Sequence, residues 1–135
     1  MSGGSISPGC VIHWENYQFS DGTKANKYLV ILGCKQGANY LAVLGTSKQH
    51  RRTFTPGCNA RESYYHVPAG IAWFPLDTWL VLGDPIEIEP AEFLKRAMVD
   101  KSLTICGQIQ TDIANAIRNC FKLCPDASAA HVALL

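Results

Sequence analysis

The sequence predicts a mainly β protein with helices near its C-terminus, α+β by content. Two observations lead to this fold class: short apolar runs separated by turn residues recur between residues 10 and 89, and a four-residue apolar periodicity appears only after them. No internal repeat is visible in the sequence. Strands followed by helices are typical of a small, strongly bent antiparallel sheet or barrel with C-terminal helices packed against it.

The first three strands are predicted between residues 10 and 45. "CVIHW" (10–14) has strand composition, and the Asp-Gly pair of "SDGTK" (20–24) is a turn signal, so the chain opens with a hairpin. Two aliphatic runs follow, "YLVILGC" (28–34) and "YLAVLG" (40–45), with turn residues between them. Three strands joined in this way form a continuous meander.

A polar loop and three further strands are predicted between residues 46 and 89. The composition becomes polar and cationic from 46 to 63, which indicates a long surface loop. "YYHVP" (64–68) and "TWLVL" (78–82) have strand composition. "IEIE" (86–89) alternates apolar and acidic residues, which is typical of a half-exposed edge strand.

Two helices complete the predicted fold. Pro90 suits the first turn of a helix, and the following "AEFLKRAMVD" is helix-forming. The second helix is predicted over 109–123, because apolar residues recur there every four positions and a proline follows. These apolar residues are Ile109, Ile113, Ile117 and Phe121.

The length of the chain, 135 residues, fits one domain, and a domain of this size buries roughly two thirds of the surface that its unfolded form exposes. Residues 1–8 are rich in Gly and Ser, the composition of a mobile tail. We therefore predict an N-terminal tail over 1–8, a single domain over 9–125 and a C-terminal tail over 126–135.

Composition and charge limit the classes of function. Apolar residues make up 47% and charged residues 17% of the chain, values typical of a globular protein. The net charge of +1 excludes the strongly basic balance of many dedicated nucleic-acid binders, so a nucleic-acid site must be local. No apolar run approaches the roughly 18 residues that span a bilayer. Because the N-terminus also lacks a secretory signal, we expect a cytoplasmic location and no membrane association.

The six cysteines lie far apart and mostly in apolar segments, and we expect them to be reduced core residues. Two pairs remain as alternatives for part of a metal site, Cys58 with His66 and Cys120 with Cys124, although neither has Cys-x-x-Cys spacing and a second pair. Cys58 and His66 also form a candidate nucleophile pair, without an evident third orienting residue. We predict no metal and no cofactor. The remaining cysteines are Cys10, Cys34 and Cys106.

The order of several motifs is similar to that of a known family. "YLVIL" is followed by "LAVLGTSK", then by "FPLDTWLVL", and "ICGQI" precedes the last helix. Over residues 9–124 this order and spacing resemble the MazF/PemK family of plasmid-addiction toxins. The resemblance implies an SH3-like barrel, usually a homodimer, that cleaves single-stranded RNA without a metal and is neutralised by an antitoxin protein.

The resemblance also implies where the site lies. Typical members carry a threonine or serine after the third strand, which Thr46 and Ser47 match. They carry an arginine followed by a proline before the second apolar strand, where this chain has Asn26 and Lys27. Lysine keeps the charge but lacks the two-pronged donor set of arginine, so the substitution weakens phosphate binding. Lys27, Thr46 and Ser47 are therefore predicted to be catalytic.

The polar loop supplies other groups that RNA cleavage requires. Attack of a 2′-hydroxyl on the adjacent phosphate needs a proton acceptor, a proton donor and cations. Histidine is the natural acid or base near neutral pH and arginine binds phosphate, so His50 and Arg51 are also predicted to be catalytic. For His13, in the first predicted strand, the alternative is a structural role. For the "KQHRR" run (48–52) the alternative is an ordinary solvated loop. The predicted RNA-binding residues are His13, Lys24, Lys48 and Arg52.

The aromatic residues are divided between RNA binding and the core. Three near the first strand are candidates for stacking on unpaired bases, as binders of single-stranded RNA require. Those of the second half are expected to fill the core, which is the usual position of aromatic side chains. The first group is Trp14, Tyr17 and Phe19, and the second is Tyr64, Tyr65, Trp73, Phe74 and Trp79.

Two hypotheses for the function follow. The first is a MazF/PemK-like endoribonuclease toxin, which Thr46, Ser47 and the local cations favour. The second is a barrel that has lost cleavage and binds RNA or a protein, which Asn26 and Lys27 in place of Arg-Pro favour.

Overall fold

A computed structural model describes residues 6–49 and 52–135 and contains seven strands and three helices in those ranges. A 3-10 turn, Ala60–Glu62, follows the fourth strand. The strands are β1 (Cys10–Gln18), β2 (Lys24–Gly33), β3 (Tyr40–Thr46), β4 (Gly57–Asn59), β5 (Tyr64–Val67), β6 (Thr78–Ile88) and β7 (Leu103–Gln108). The helices are α1 (Pro90–Met98), α2 (Thr111–Leu123) and α3 (Ala129–Val132).

All described strands belong to one open antiparallel sheet, in the order β4-β5-β6-β3-β2-β1-β7. The prediction of a mainly β protein with helices in its C-terminal part is confirmed, and so is the meander of the first three strands. β4 and β7 form the two edges of the sheet.

Apolar clusters cover both faces of the sheet. In β2, Val30 and Leu32 point to the cluster that contains α2, whereas Leu29 and Ile31 point to the cluster that contains Phe93 of α1. These four β2 residues are 0% exposed. The uninterrupted apolar run in β2 therefore reflects burial on both faces, since a strand with one solvated face would alternate apolar and polar residues.

The structure corrects the predicted strand pattern at three places. The two strands predicted over 78–82 and 86–89 are one strand, β6, and the Gly-Asp-Pro between them is not a turn. The pairing of β3 with β6 shifts register between Ala42 and Leu44, so the extra β6 residues form an irregularity inside the ladder. β4 lies within the predicted 46–63 loop, and β7 was not predicted. α1 begins at Pro90 as predicted, and α2 covers most of 109–123.

Both predicted tails contain residues that pack on the sheet. Ile6 packs against the cluster of Phe93, and the Gln108 side chain donates a hydrogen bond to the Pro8 carbonyl at 2.8 Å. At the other end, α3 forms within the predicted tail 126–135 and Leu135 is buried in the core. Gly33 permits this packing because the carbonyl of Leu134 occupies the space that a Cβ would fill. Residues 1–5 of the predicted N-terminal tail lie outside the described residues.

A disulfide joins Cys58 of β4 to Cys120 of α2, with their Cα atoms 5.5 Å apart. The prediction that all six cysteines are reduced is therefore wrong for this pair, which lies 62 positions apart and gives no spacing signal. The pairing also excludes Cys58 as a free nucleophile beside His66. No group of three potential metal ligands occurs among the described residues. The described residues contain no helix long and apolar enough to cross a membrane.

The other four cysteines are free thiols. Cys10 of β1 is buried in the apolar cluster that contains Phe93, and burial, aided by the neighbouring Cys106 and Cys34, raises the pKa of its thiol to about 11. The Cys10 thiol is therefore protonated at neutral pH and behaves as a small apolar side chain.

Removal of the disulfide should lower stability. For Cys58→Ser we expect the free energy of unfolding to fall by about 2–4 kcal/mol, because the unfolded chain regains the freedom that the cross-link removes. Urea denaturation with and without a dithiol reductant measures this change. Wild type should weaken by a similar amount in the reductant, whereas the free-cysteine control Cys106→Ser should match oxidised wild type. Identical curves for wild type and Cys58→Ser would contradict the prediction.

Candidate functional site

A cavity of about 550 Å³ lies at the start of β2 and the end of β3, where the residues of these strands are no longer buried on both faces. Its wall combines two lysines, hydroxyl groups, an amide, a tyrosine and a tryptophan. The segment that leads into β6 closes the opposite side. The lining residues are Asn26, Lys27, Tyr28, Gly45, Thr46, Ser47, Lys48, Trp73, Phe74, Pro75, Leu76 and Thr78.

The strand register brings these residues together. Tyr28 of β2 pairs with Gly45 of β3, and Gly45 in turn pairs with Leu80 of β6. A Cβ on Gly45 would lie 3.2 Å from the Cγ2 atom of Thr78, so glycine allows β3 and the start of β6 to approach closely at the cavity. The cavity therefore depends on sheet pairing between parts of the sequence far apart.

Four of the predicted site residues line this cavity, namely Lys27, Thr46, Ser47 and Lys48. The Thr46 hydroxyl oxygen accepts a hydrogen bond from the Lys48 backbone N–H at 3.2 Å, which fixes the bend that follows β3. The Lys27 ammonium lies 5.7 Å from the centroid of the Phe19 ring, so its charge also contacts an aromatic face.

The remaining predicted residues have other positions. The His13 ring centroid lies 4.8 Å from that of Tyr28 without His13 lining the cavity, and Lys24 is exposed at the start of β2. The Arg52 guanidinium donates to the Lys48 carbonyl at 3.4 Å, next to the lining without being part of it. His50 and Arg51 lie outside the described residues.

The charge of the lining favours anions. Lys48 contributes positive charge, and the described lining contains no aspartate, glutamate or histidine. Lys27 also lines the cavity, with its ammonium over the neighbouring Phe19 ring. Hydroxyls and an amide provide additional hydrogen-bond donors. A phosphate or carboxylate group therefore meets complementary charge, whereas a cation does not.

Tyr28 and Trp73 form an aromatic part of the wall that the sequence did not reveal. Their ring centroids lie 5.4 Å apart. Trp73 was expected in the core, yet it is only partly buried and lines the cavity. Its indole occupies the space that a Cβ would need at Gly107 of β7. A glycine inside a strand is a signal of such close approach, but β7 had not been recognised as a strand.

The three aromatic residues predicted to stack on bases lie away from the cavity. Trp14, Tyr17 and Phe19 pack edge to face in a chain on the other side of β2, and none of them lines the cavity. Trp14 is buried, and the Arg96 guanidinium lies 4.8 Å from its ring centroid. The face of Trp14 is therefore already occupied. Of the residues predicted to fill the core, Tyr64, Phe74 and Trp79 are buried.

Thr53, in the chain between β3 and β4, forms hydrogen bonds with residues of β5 and β6. The Trp79 indole N–H donates to the Thr53 carbonyl at 2.9 Å, and the Thr53 N–H donates to the Tyr64 hydroxyl oxygen at 3.0 Å. Phe54 packs edge-on against Trp79 and His66. The predicted surface loop is therefore attached to the sheet at Thr53 and Phe54.

A buried histidine supports the segment that closes the cavity. His66 Nε2 lies 3.0 Å from the Asp77 carboxylate, and the imidazole stacks on Trp79 with ring centroids 4.8 Å apart. Asp77 also accepts from the Ala69 N–H at 3.3 Å. Because Asp77 lies between the lining residues Leu76 and Thr78, this pair joins the cavity wall to β5.

Comparison with known proteins identifies no relative: no protein-family model matches the chain, and no curated protein matches it. Membership of the MazF/PemK family therefore remains a prediction from the sequence motifs.

Loss of the His66–Asp77 interaction should destabilise the protein. In Asp77→Ala the buried Nε2 atom loses its partner, and we expect the free energy of unfolding to fall by about 1–3 kcal/mol. Urea denaturation measures the change. Asp84→Ala, which removes an exposed carboxylate from β6, should alter stability by no more than about 0.5 kcal/mol. Equal effects of the two substitutions would show that the Asp77 interaction contributes little.

Proposed function

We propose that this protein is a MazF/PemK-like toxin of a type II toxin-antitoxin system and that it cleaves single-stranded RNA in the Lys27–Lys48 cavity without a metal. The observation that carries this proposal is the convergence of Lys27, Thr46, Ser47 and Lys48 on one cavity. Thr46 and Ser47 match the family's site by position, and Lys48 belongs to the same motif. Lys27 belongs to the Asn26-Lys27 pair that replaces the family's Arg-Pro.

The cavity has the chemistry that an RNA phosphate requires. The Lys48 ammonium offsets the charge that develops on the phosphoryl oxygens, which is the part a metal plays in other nucleases. Lys27 takes the same role once its ammonium moves from the Phe19 ring to the phosphate. The hydroxyls of Thr46 and Ser47 donate hydrogen bonds to the same oxygens. The Thr46 oxygen already accepts from the Lys48 N–H, so its own proton is free to point to the phosphate.

Cleavage proceeds by transesterification within the RNA. The 2′-oxygen forms a bond to the adjacent phosphorus, and the bond from phosphorus to the 5′-oxygen breaks. One proton leaves the 2′-hydroxyl and one is delivered to the 5′-oxygen, giving a 2′,3′-cyclic phosphate and a 5′-hydroxyl. We assign the proton transfers to His50 and additional charge stabilisation to Arg51, both of which lie outside the described residues.

Further properties are proposed from the family resemblance. They are an SH3-like barrel, a homodimer, a neutralising antitoxin and a cytoplasmic location. Register shifts in β1, β2 and β3 support a strongly bent sheet, because each irregularity increases local bending and twist. The Cys58–Cys120 disulfide is evidence against the cytoplasmic location, since disulfides seldom persist in reducing compartments.

A second candidate function is RNA or protein binding without cleavage. Two observations favour it: the described lining contains no histidine or carboxylate, and Asn26 and Lys27 stand in place of the family's Arg-Pro. The contact between the Lys27 ammonium and Phe19 also draws charge away from the cavity. Binding requires only the lysines, hydroxyls and aromatic rings.

Incubation of the wild-type protein with mixed single-stranded RNA in EDTA tests cleavage. We expect discrete fragments with 2′,3′-cyclic phosphate ends and their loss in Thr46→Ala/Lys48→Ala. Lys122→Ala is the matched control, because it removes one positive charge outside the cavity and should cleave like wild type. Intact RNA in the presence of folded wild-type protein would contradict the ribonuclease proposal.

Salt dependence of RNA binding tests the second candidate independently of cleavage. The slope of log affinity against log salt concentration should become less negative by about 0.7 in Lys48→Ala, because one phosphate contact is removed. Lys122→Ala should keep the wild-type slope. Fluorescence anisotropy with a 2′-O-methyl oligonucleotide, which lacks the attacking hydroxyl, gives both values. Equal slopes for Lys48→Ala and wild type would show that Lys48 does not contact an RNA phosphate.

A further inference from the structure

We infer that Tyr28 and Trp73 form a stacking site for one unpaired nucleobase next to the phosphate position of the cavity. This inference rests on the proposed binding of single-stranded RNA and specifies which part of the RNA the aromatic wall recognises. It assigns to Trp73 a role opposite to the core position that its sequence context predicted.

Tyr28 is the last exposed residue of β2 before its buried part. Tyr28 is 42% exposed, whereas the next four residues of β2 are fully buried. Tyr28 lies between His13 of β1, whose ring centroid is 4.8 Å from its own, and Gly45 of β3, which has no side chain to cover the ring. In most strand pairs an aromatic residue packs on its cross-strand neighbour, so glycine at this position leaves a face of Tyr28 open toward the cavity.

Trp73 is fixed in place before any ligand binds. Its indole fills the space above Gly107, and the buried Phe74 packs against it edge-on with ring centroids 5.3 Å apart. Tyr28 lies on the cavity side at 5.4 Å, with the two rings inclined by 54°. A ring held in this way loses little conformational freedom on binding, so more of the stacking energy contributes to affinity.

The chemistry of the wall matches a nucleotide. Lys48 lines the same cavity as Tyr28 and Trp73, so a cationic side chain and aromatic surface share one wall. Binders of single-stranded nucleic acid combine these two features, since the backbone needs cations and each base offers a flat π surface. A base paired inside a duplex has both faces covered by its neighbours, so the site selects unpaired bases.

Measurement of affinity with and without bases tests the inference. The probes are a 2′-O-methyl octauridine and an abasic chain of the same length and charge, both of which lack the attacking hydroxyl. We expect wild type to bind the octauridine more tightly. Tyr28→Leu and Trp73→Leu should weaken octauridine binding about tenfold to hundredfold and leave abasic binding unchanged, because stacking acts on the base alone.

Two further variants separate stacking from a structural role of the rings. Trp73→Phe should keep most of the preference for bases. Gly107→Ala retains every aromatic residue but displaces the indole, so it should lose the preference as Trp73→Leu does. Phe54→Leu removes an exposed ring outside the lining and is the matched control.

The outcomes distinguish this inference from the function on which it rests. Equal wild-type affinity for both probes would overturn the stacking site and leave phosphate recognition by the lysines intact. An equal loss of affinity for both probes in Tyr28→Leu and Trp73→Leu would also overturn it, because a structural change in the cavity would weaken contacts with the RNA backbone as well. Failure of wild type to bind either probe would overturn the proposed function itself.

Discussion

Burial of the central strands on both faces is the constraint on which the rest of the structure depends. From Leu29 to Gly33, β2 is buried without interruption, whereas from Lys24 to Tyr28 its residues are exposed or half-exposed. A strand enclosed on both faces has no place for a functional polar group, because an unpaired buried charge is costly. Polar side chains that act on a ligand are therefore restricted to strand ends, and the cavity begins at Tyr28, where the covering stops.

The sequence was informative about elements whose pattern is local. The aliphatic runs of β2 and β3, Pro90 at the start of α1 and the four-residue periodicity of α2 are such patterns, and each predicted element is present. β7 was missed because its signal depends on pairing with β1, a strand from the other end of the chain. The disulfide was missed for the same reason, since only the packing of α2 beside β4 brings its cysteines together.

The candidate site also contains residues with a local sequence signal and residues that only tertiary contact brings together. Lys27, Thr46, Ser47 and Lys48 flank strands that the sequence marks clearly, so motif order was enough to select them. The aromatic wall depends on Trp73 meeting Gly107, two residues on segments with no local relation. Sequence reasoning therefore found the charged part of the cavity and missed the apolar part, which arises only from tertiary contact.

The position of β1 between β2 and β7 also affects the order of folding. β1 and β2 are joined by a short connection and pair early, because closing a short loop costs little entropy. β7 joins β1 from far along the chain, and the Gln108–Pro8 hydrogen bond spans 100 positions. Until that step the outer side of β1 is an unpaired strand edge, a template for association with another chain. Gly107, on which Trp73 packs, belongs to β7, so we expect the aromatic wall to form late in folding. A cavity built from distant segments is then expected to fold slowly and to leave the β1 edge exposed to association in the meantime.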